Sequence, residues 1–477
     1  MTPNAIAWLA LAAWPLLALA VYYDPRSGRR LARTTAWLMI LPVMFLPTGA
    51  AYKWPLVPAL DKHRIAFLSI AAGLLLFHRR ELRFRMRDAR FPAAILLVVV
   101  LGVIRTVQTN PQALVYGPRI IPGLTSHDIL SIATALTLDL FLPFVIGAQV
   151  FRREEDLRDL LDVLSLCGLI YMPFCLVEVR LSPQLHYWVY GFYQHEFAQS
   201  MRDGAFRPVV FMNHGLHVAS FYFTCVLASL ALRKAGARVD PPAAVRVALA
   251  GLVLLLARSM GALIYSLVAA VLMFFRPSRR WFTRALIAMT LIVALYPVTR
   301  AAGVFPRREI VAFFARISPE RAESLDFRFQ NEEMLVARAM ERPLSGWGTF
   351  GRNRIYAEWG QDMSVTDGAW IVLLGAFGAV GMVATFTLLL VPVLRFVWHR
   401  RRIPKQSRVL LGSLALMVML LIVDMLPNAR SDGLILVYAG ALLTLTGRLR
   451  QTAARRVPVL RTASGPEPED SRLPVPG

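Results

Sequence analysis

Apolar residues run along the chain in blocks of about 15 to 25, and between them lie short clusters rich in arginine. A helix rising 1.5 Å per residue needs about 20 apolar residues to cross about 30 Å of hydrocarbon, so the blocks predict membrane spans rather than globular cores. Thirteen spans are expected, at 5–23, 35–51, 58–77, 91–107, 128–150, 159–179, 208–231, 242–257, 261–275, 285–299, 368–394, 409–427 and 432–447. Residues 242–275 are too long for one helix without extreme tilt, and Arg258-Ser259-Met260-Gly261 divides them. The expected fold class is all-α: a polytopic transmembrane helical bundle with one long helical loop.

Five regions follow from this pattern. Residues 1–179 hold N-terminal spans, 180–299 central spans with a loop at 180–207, 300–367 the long loop, 368–447 C-terminal spans, and 448–477 a tail rich in proline and charge. The tail is expected to be disordered. The first apolar block lacks a basic leader and a small-residue cleavage motif, so it is read as a retained span. In the long loop, ISPERAESLDFRFQNEEMLVARAMERP reads as helical, with Ser318-Pro319 at its start and Pro343, Gly346 and Gly348 at its end.

Composition agrees with this reading. Of 477 residues, 56% are hydrophobic and only 17% charged, which excludes an ordinary soluble globule. The net charge of +23 would suggest nucleic acid in a soluble protein, but here it lies in loops that alternate along the chain. One set of loops holds about 32 Lys and Arg residues and the other about 10. The richer set is expected to be cytoplasmic, leaving the N-terminus outside, the C-terminus inside, and residues 180–207 and 300–367 on the outer face. The three cysteines lie within apolar blocks without metal-ligand spacing, so neither a metal nor another cofactor is expected.

Charged or polar groups near the membrane supply the candidate chemistry. Asp139 and Asp424 sit in apolar blocks and read best as interhelical hydrogen bonds or pairs with arginine. Arg207 precedes Phe211-Met212-Asn213-His214, Arg258 stands between two short spans, and Arg328 lies in the helical loop with Glu332 one turn on. Guanidinium groups suit phosphate oxygens because they are always charged and can bond two at once. His214 and His217 share a helical face; interfacial hydrogen bonding suits them better than metal binding.

Arg207 with Phe211-Met212-Asn213-His214, Arg258-Ser259-Met260-Gly261, Arg328 followed by ARAMERPLSGWGTFG at 337–351, and DGAWIVLLGAFGAVG at 367–381 occur in a characteristic order. Together they resemble the O-antigen ligase and O-antigen polymerase superfamily over roughly residues 200–395. The resemblance implies a multi-pass enzyme of the bacterial inner membrane acting on its periplasmic face, with the N-terminus periplasmic and the C-terminus cytoplasmic. The implied activity is that of a membrane glycosyltransferase joining polyprenyl-diphosphate-linked oligosaccharides into exopolysaccharide or O-antigen. Where ligases of the family carry a His-Asn pair, this chain has Asp367-Gly368, which favours a polymerase over a ligase.

On this reading Arg207, Arg258 and Arg328 bind the diphosphate in place of a metal. The expected base is Asp367, followed by Glu332 and His214. Asn213, Gly346, Trp347 and Gly348 are expected against the substrate, with Tyr356 and Trp359 as further aromatic contacts. The implied partners are the lipid-linked oligosaccharide and membrane lipids, with a chain-length regulator as a further candidate; nucleic acid is not expected. The rival classes are a ligase for another acceptor, a polysaccharide flippase or transporter, which would need paired broken helices and midplane charges, and a non-catalytic assembly subunit.

Overall fold

The computed structural model describes residues 2–54, 57–82, 86–202, 204–274, 279–429 and 433–455. The expected tail at 448–477 therefore falls largely outside the described residues. The chain forms an all-α membrane bundle in which eight helices are long and apolar enough to cross a bilayer: Ala5–Tyr23, Ala89–Gln108, Ser126–Val150, Glu154–Leu181, Gly215–Lys234, Arg280–Ala301, Ala369–Arg402 and Lys405–Asp424. Shorter apolar helices at Leu31–Phe45, Ala243–Leu256 and Met260–Phe274 accompany them. Lys62–Phe77 and Leu434–Arg455 are also helical. Strands are confined, among the described residues, to three two-stranded hairpins in the connections.

The core lies where polar atoms are fewest. Nearly every side chain of Gly215–Lys234 and Lys405–Asp424 is buried, so these two helices form the centre of the bundle. The helices around them leave Leu, Ile and Val side chains exposed on their outer surfaces, as lipid-facing helices do. Arg258 separates Ala243–Leu256 from Met260–Phe274 with a left-handed φ of 49°, which ends one helix and starts the next. Asp139 lies in a five-residue π-turn and accepts two hydrogen bonds from Arg64, at 2.8 and 2.7 Å, so the charge within this apolar block is paired.

The segment between Arg280–Ala301 and Ala369–Arg402 holds two helices, Arg307–Ala315 and Pro319–Met340. The loop after the second of them is spliced into the span that follows. Within Ala369–His399, Gly378 has φ 63° and ψ −170°, which interrupts the helical hydrogen bonds. The 343–348 loop takes up the freed groups: Trp347 N–H donates to Gly375 O and Gly348 N–H to Ala376 O, each at 2.8 Å, and Ala379 N–H donates to Pro343 O at 2.7 Å. Gly346 is required here because a Cβ would lie 2.5 Å from Gly378 N. A broken helix at this depth is tolerable only when protein satisfies its backbone, and the loop does so.

Candidate functional site

Four helix ends meet at one face of the bundle: the C-terminal ends of Glu154–Leu181 and Lys405–Asp424 and the N-terminal ends of Gly215–Lys234 and Ala369–His399. Between them, and beneath Pro319–Met340, lies an open cavity of about 810 Å³. Its wall includes Arg202, Arg207, His214, Arg328, Asp367 and Asp424. Residues separated by more than 200 positions in sequence thus face one space.

Glu178 anchors the segment that carries Arg207. Buried at the end of its helix, its carboxylate accepts N–H bonds from Leu185 at 3.1 Å, Val209 at 2.8 Å and Val210 at 2.7 Å. The Tyr171 hydroxyl oxygen accepts the next N–H, from Phe211, at 3.0 Å. This clamp stabilises Val210 at φ 52°, a strained value for a β-branched residue, and fixes the chain just beyond Arg207.

Arg207 is 3% exposed, yet its Nε and Nη2 have no hydrogen-bond partner among the described residues. A buried donor left unpaired costs about 1–3 kcal/mol, and more when charged. Burial, reinforced by repulsion from Arg202 and Arg328, lowers this guanidinium to about 10, so it stays cationic at neutral pH. Opposite it, Arg328 donates to Pro427 O at 3.4 Å, and its Nε stands 3.6 Å from Asp367 Oδ2. Arg258 joins the group one step removed: its Nη1 donates to the carbonyl of Arg202 at 3.1 Å, and Arg202 lines the cavity.

His214 caps the Gly215–Lys234 helix, its Nδ1 accepting the Leu216 N–H at 3.0 Å. Burial, aided by repulsion first from Arg207 and then from His195, His217 and Arg328, lowers its pKa to about 3. The ring is therefore neutral. With Nδ1 accepting, the proton resides on Nε2, so His214 offers the cavity a donor rather than a base. Asp424 is 5% exposed and accepts from Ser220 Oγ at 3.0 Å and Asn428 Nδ2 at 2.8 Å.

The other candidate residues lie elsewhere. Glu332 is buried against Arg300 at 3.1 Å, the Tyr296 hydroxyl at 2.7 Å and Trp370 Nε1 at 3.3 Å. Burial pushes its carboxyl upward against the opposing effects of Tyr296 and Arg300, and its oxygens serve a structural ion pair outside the cavity wall. Trp347 lies in the loop with its ring against Arg338 and Arg342 and its Nε1 donating to Arg338 O at 2.7 Å, while Gly346 and Gly348 form the splice. Asn213 lines a separate space of about 20 Å³ beside Lys62, whose ammonium donates to the carbonyls of Val43, Leu46 and Phe211. Tyr356 packs at a tilt against Tyr116, and Trp359 is exposed outside the cavity wall.

Neither a protein-family model nor a curated protein matches this chain. The cavity can receive an anionic group at the Arg207 and Arg328 guanidiniums, hydrogen-bond a neighbouring oxygen through His214, and present the Asp367 carboxylate beside them. Glu178 and Arg202 are not singled out by the sequence, whereas Asp424, expected as an interhelical hydrogen bond, makes one to Ser220 of a neighbouring helix. Glu178 ends an apolar block where a carboxylate has no expected partner, and that was the available signal.

Proposed function

We propose that the cavity is the active site of a membrane glycosyltransferase that joins polyprenyl-diphosphate-linked oligosaccharides, as a polymerase of exopolysaccharide or O-antigen repeats. The observation that carries this reading is Arg207: a buried guanidinium with two unpartnered nitrogens at the wall of a cavity large enough for a diphosphate and its first sugars. A fixed cation that stays unpaired until an anion arrives is the preorganised electrostatics a diphosphate leaving group needs.

In this reaction an acceptor hydroxyl oxygen attacks the anomeric carbon of the donor sugar. The hydroxyl proton passes to the Asp367 carboxylate, the bond from the anomeric carbon to the phosphate oxygen breaks, and the diphosphate leaves with the electron pair. Arg207 and Arg328 take up its charge, and Arg258 supports them by holding the Arg202 backbone. A positioned base contributes about 10²- to 10⁴-fold. His214 donates from Nε2 to an oxygen of the donor. Arg328 beside Asp367 couples the two halves of the site, leaving group on one side and acceptor on the other.

The cavity also suits the membrane face such an enzyme uses. The helices that open into it carry Arg233 and Lys234, Arg400 to Arg402, and Lys405 at their opposite ends. By the positive-inside rule those ends are cytoplasmic, which makes the cavity periplasmic in a bacterial inner membrane. With thirteen spans, that orientation would put the N-terminus in the periplasm and the C-terminus in the cytoplasm. Asp367 in place of histidine favours polymer extension over transfer to a ligase acceptor.

Purified protein given a polyprenyl-diphosphate oligosaccharide should yield products longer by whole repeats. Neither a carrier nor a scaffold forms glycosidic bonds, so unextended substrate would refute the proposal.

A further inference from the structure

A second group of cations is assembled away from the cavity, where the 343–348 loop meets the end of the Met86–Gln108 helix. The guanidinium carbons of Arg338 and Arg342 stand 3.3 and 4.2 Å from the Trp347 ring centre. Behind them Arg352, only 1% exposed, bonds carbonyls alone: Trp347 O at 3.1 Å, Pro122 O at 2.7 Å and Gln112 O at 3.0 Å. It brings a full charge to the cluster without a carboxylate. Arg342 donates to the carbonyl of Thr109, and Arg105 lies one turn before Thr109 on the same helix face.

Among the described residues, Glu341 is the carboxylate that meets this group, 2.9 Å from Arg338 and half-exposed. Burial and repulsion from Arg338 depress the Arg342 guanidinium, and burial with repulsion from Arg342 and Arg338 depresses that of Arg352. Like charges held this close favour an anion between them.

The surface below shows which anion. Leu97, Leu101 and Arg105 are spaced by four and share one helix face, with Leu97 and Leu101 59% and 56% exposed in an apolar span. Leu344 and Phe350, on the loop beside Arg342, are equally open. An apolar stripe thus climbs the exposed side of a span and ends at Arg105, with Arg342 bound to the Thr109 carbonyl one turn beyond. A free anion would gain nothing from the stripe, and a zwitterionic lipid would bring its own cation to the arginines.

We infer that Arg105 and Arg342 form a binding site for the phosphate of an anionic phospholipid whose acyl chain lies along Leu97 and Leu101. The lipid neutralises the cluster around Trp347 and braces the loop that is spliced into the broken helix.

Native mass spectrometry of the full-length protein, with phosphatidylglycerol, phosphatidylcholine or inorganic phosphate added at equal concentration, tests the site. Phosphatidylglycerol adducts should exceed phosphatidylcholine adducts and persist in the presence of inorganic phosphate. Arg342→Gln should reduce them about tenfold, the loss of a charge-assisted phosphate contact. Because Arg342 also supports the loop, Arg105→Gln is the companion variant. Arg105 is exposed near the end of its helix, and its loss should weaken binding similarly. Equal binding of the two lipids, displacement by inorganic phosphate, or adducts unchanged in Arg105→Gln would overturn the inference.

Discussion

A Cβ on Gly215 would lie 2.4 Å from Arg207 Nε, so the guanidinium occupies its place only because residue 215 has no side chain. At the first position of a helix, alanine would otherwise be preferred. Gly215→Ala should therefore leave helix content unchanged while displacing Arg207. Misplacing a binding group by about 1 Å can cost about 10²-fold in rate, and a loss of that order is expected in repeat addition. Circular dichroism and a chain-extension assay on the same preparation check both parts.

Glu178 acts at one remove. Val209 N–H and Val210 N–H bond one carboxylate oxygen and Leu185 N–H the other, so an amide in its place must turn its own N–H₂ against at least one donor. Glu178→Gln should destabilise the protein by about 1–3 kcal/mol. It should also weaken donor binding, because the Arg207 segment loosens. Thermal unfolding in detergent and a donor-binding titration measure the two effects.

Glu332 sits in a loop helix full of exposed charge, and it is the structure that separates it from its neighbours by burying it against Arg300. Glu332→Gln leaves that arginine buried without its main counter-charge, a loss of about 3–5 kcal/mol for a broken buried pair. The unfolding midpoint should fall sharply, while the folded fraction extends polymer at the normal rate. A base role for Glu332 would instead appear as a folded but inactive protein.

Acid sensitivity follows from two histidines, the buried His186 and the half-buried His214. His214 and His186 have pKa values lowered from 6.5 to about 3 and about 4, in both cases chiefly by burial. Between pH 6.5 and these values the unfolded chain binds protons that the folded protein does not. Stability is therefore full above pH 6.5 and declines as the pH falls through that window. His214→Asn keeps a helix-capping side chain without a titrating ring and should flatten part of the decline. Unfolding midpoints from pH 7.5 to 4.5 give the slope.

The bundle was legible because burial in lipid demands long apolar runs, and the break at Arg258 showed as an interruption in one of them. The meeting of Arg207, His214, Arg328 and Asp367 was expected only through the family resemblance, since periodicity carries no information about contacts across more than 100 positions. Gly346 and Gly348 had the spacing of a ligand-binding turn, but their partner is the Gly378 break in a span about 30 residues later. Glu332 looked accessible because its partner Arg300 lies at the end of the preceding span. Local sequence gave the right chemistry for these residues and no measure of what would neutralise them.

If Arg207 and Arg328 hold a diphosphate, the affinity of Arg207→Lys and Arg328→Lys proteins of normal thermal stability for a polyprenyl-diphosphate oligosaccharide reports it. Lysine keeps the charge and loses the two-pronged bond. Each variant should bind the donor about tenfold or more weakly, the cost of one charge-assisted bond, and should make shortened polymer. Unchanged donor affinity together with full-length polymer in both variants would contradict the account.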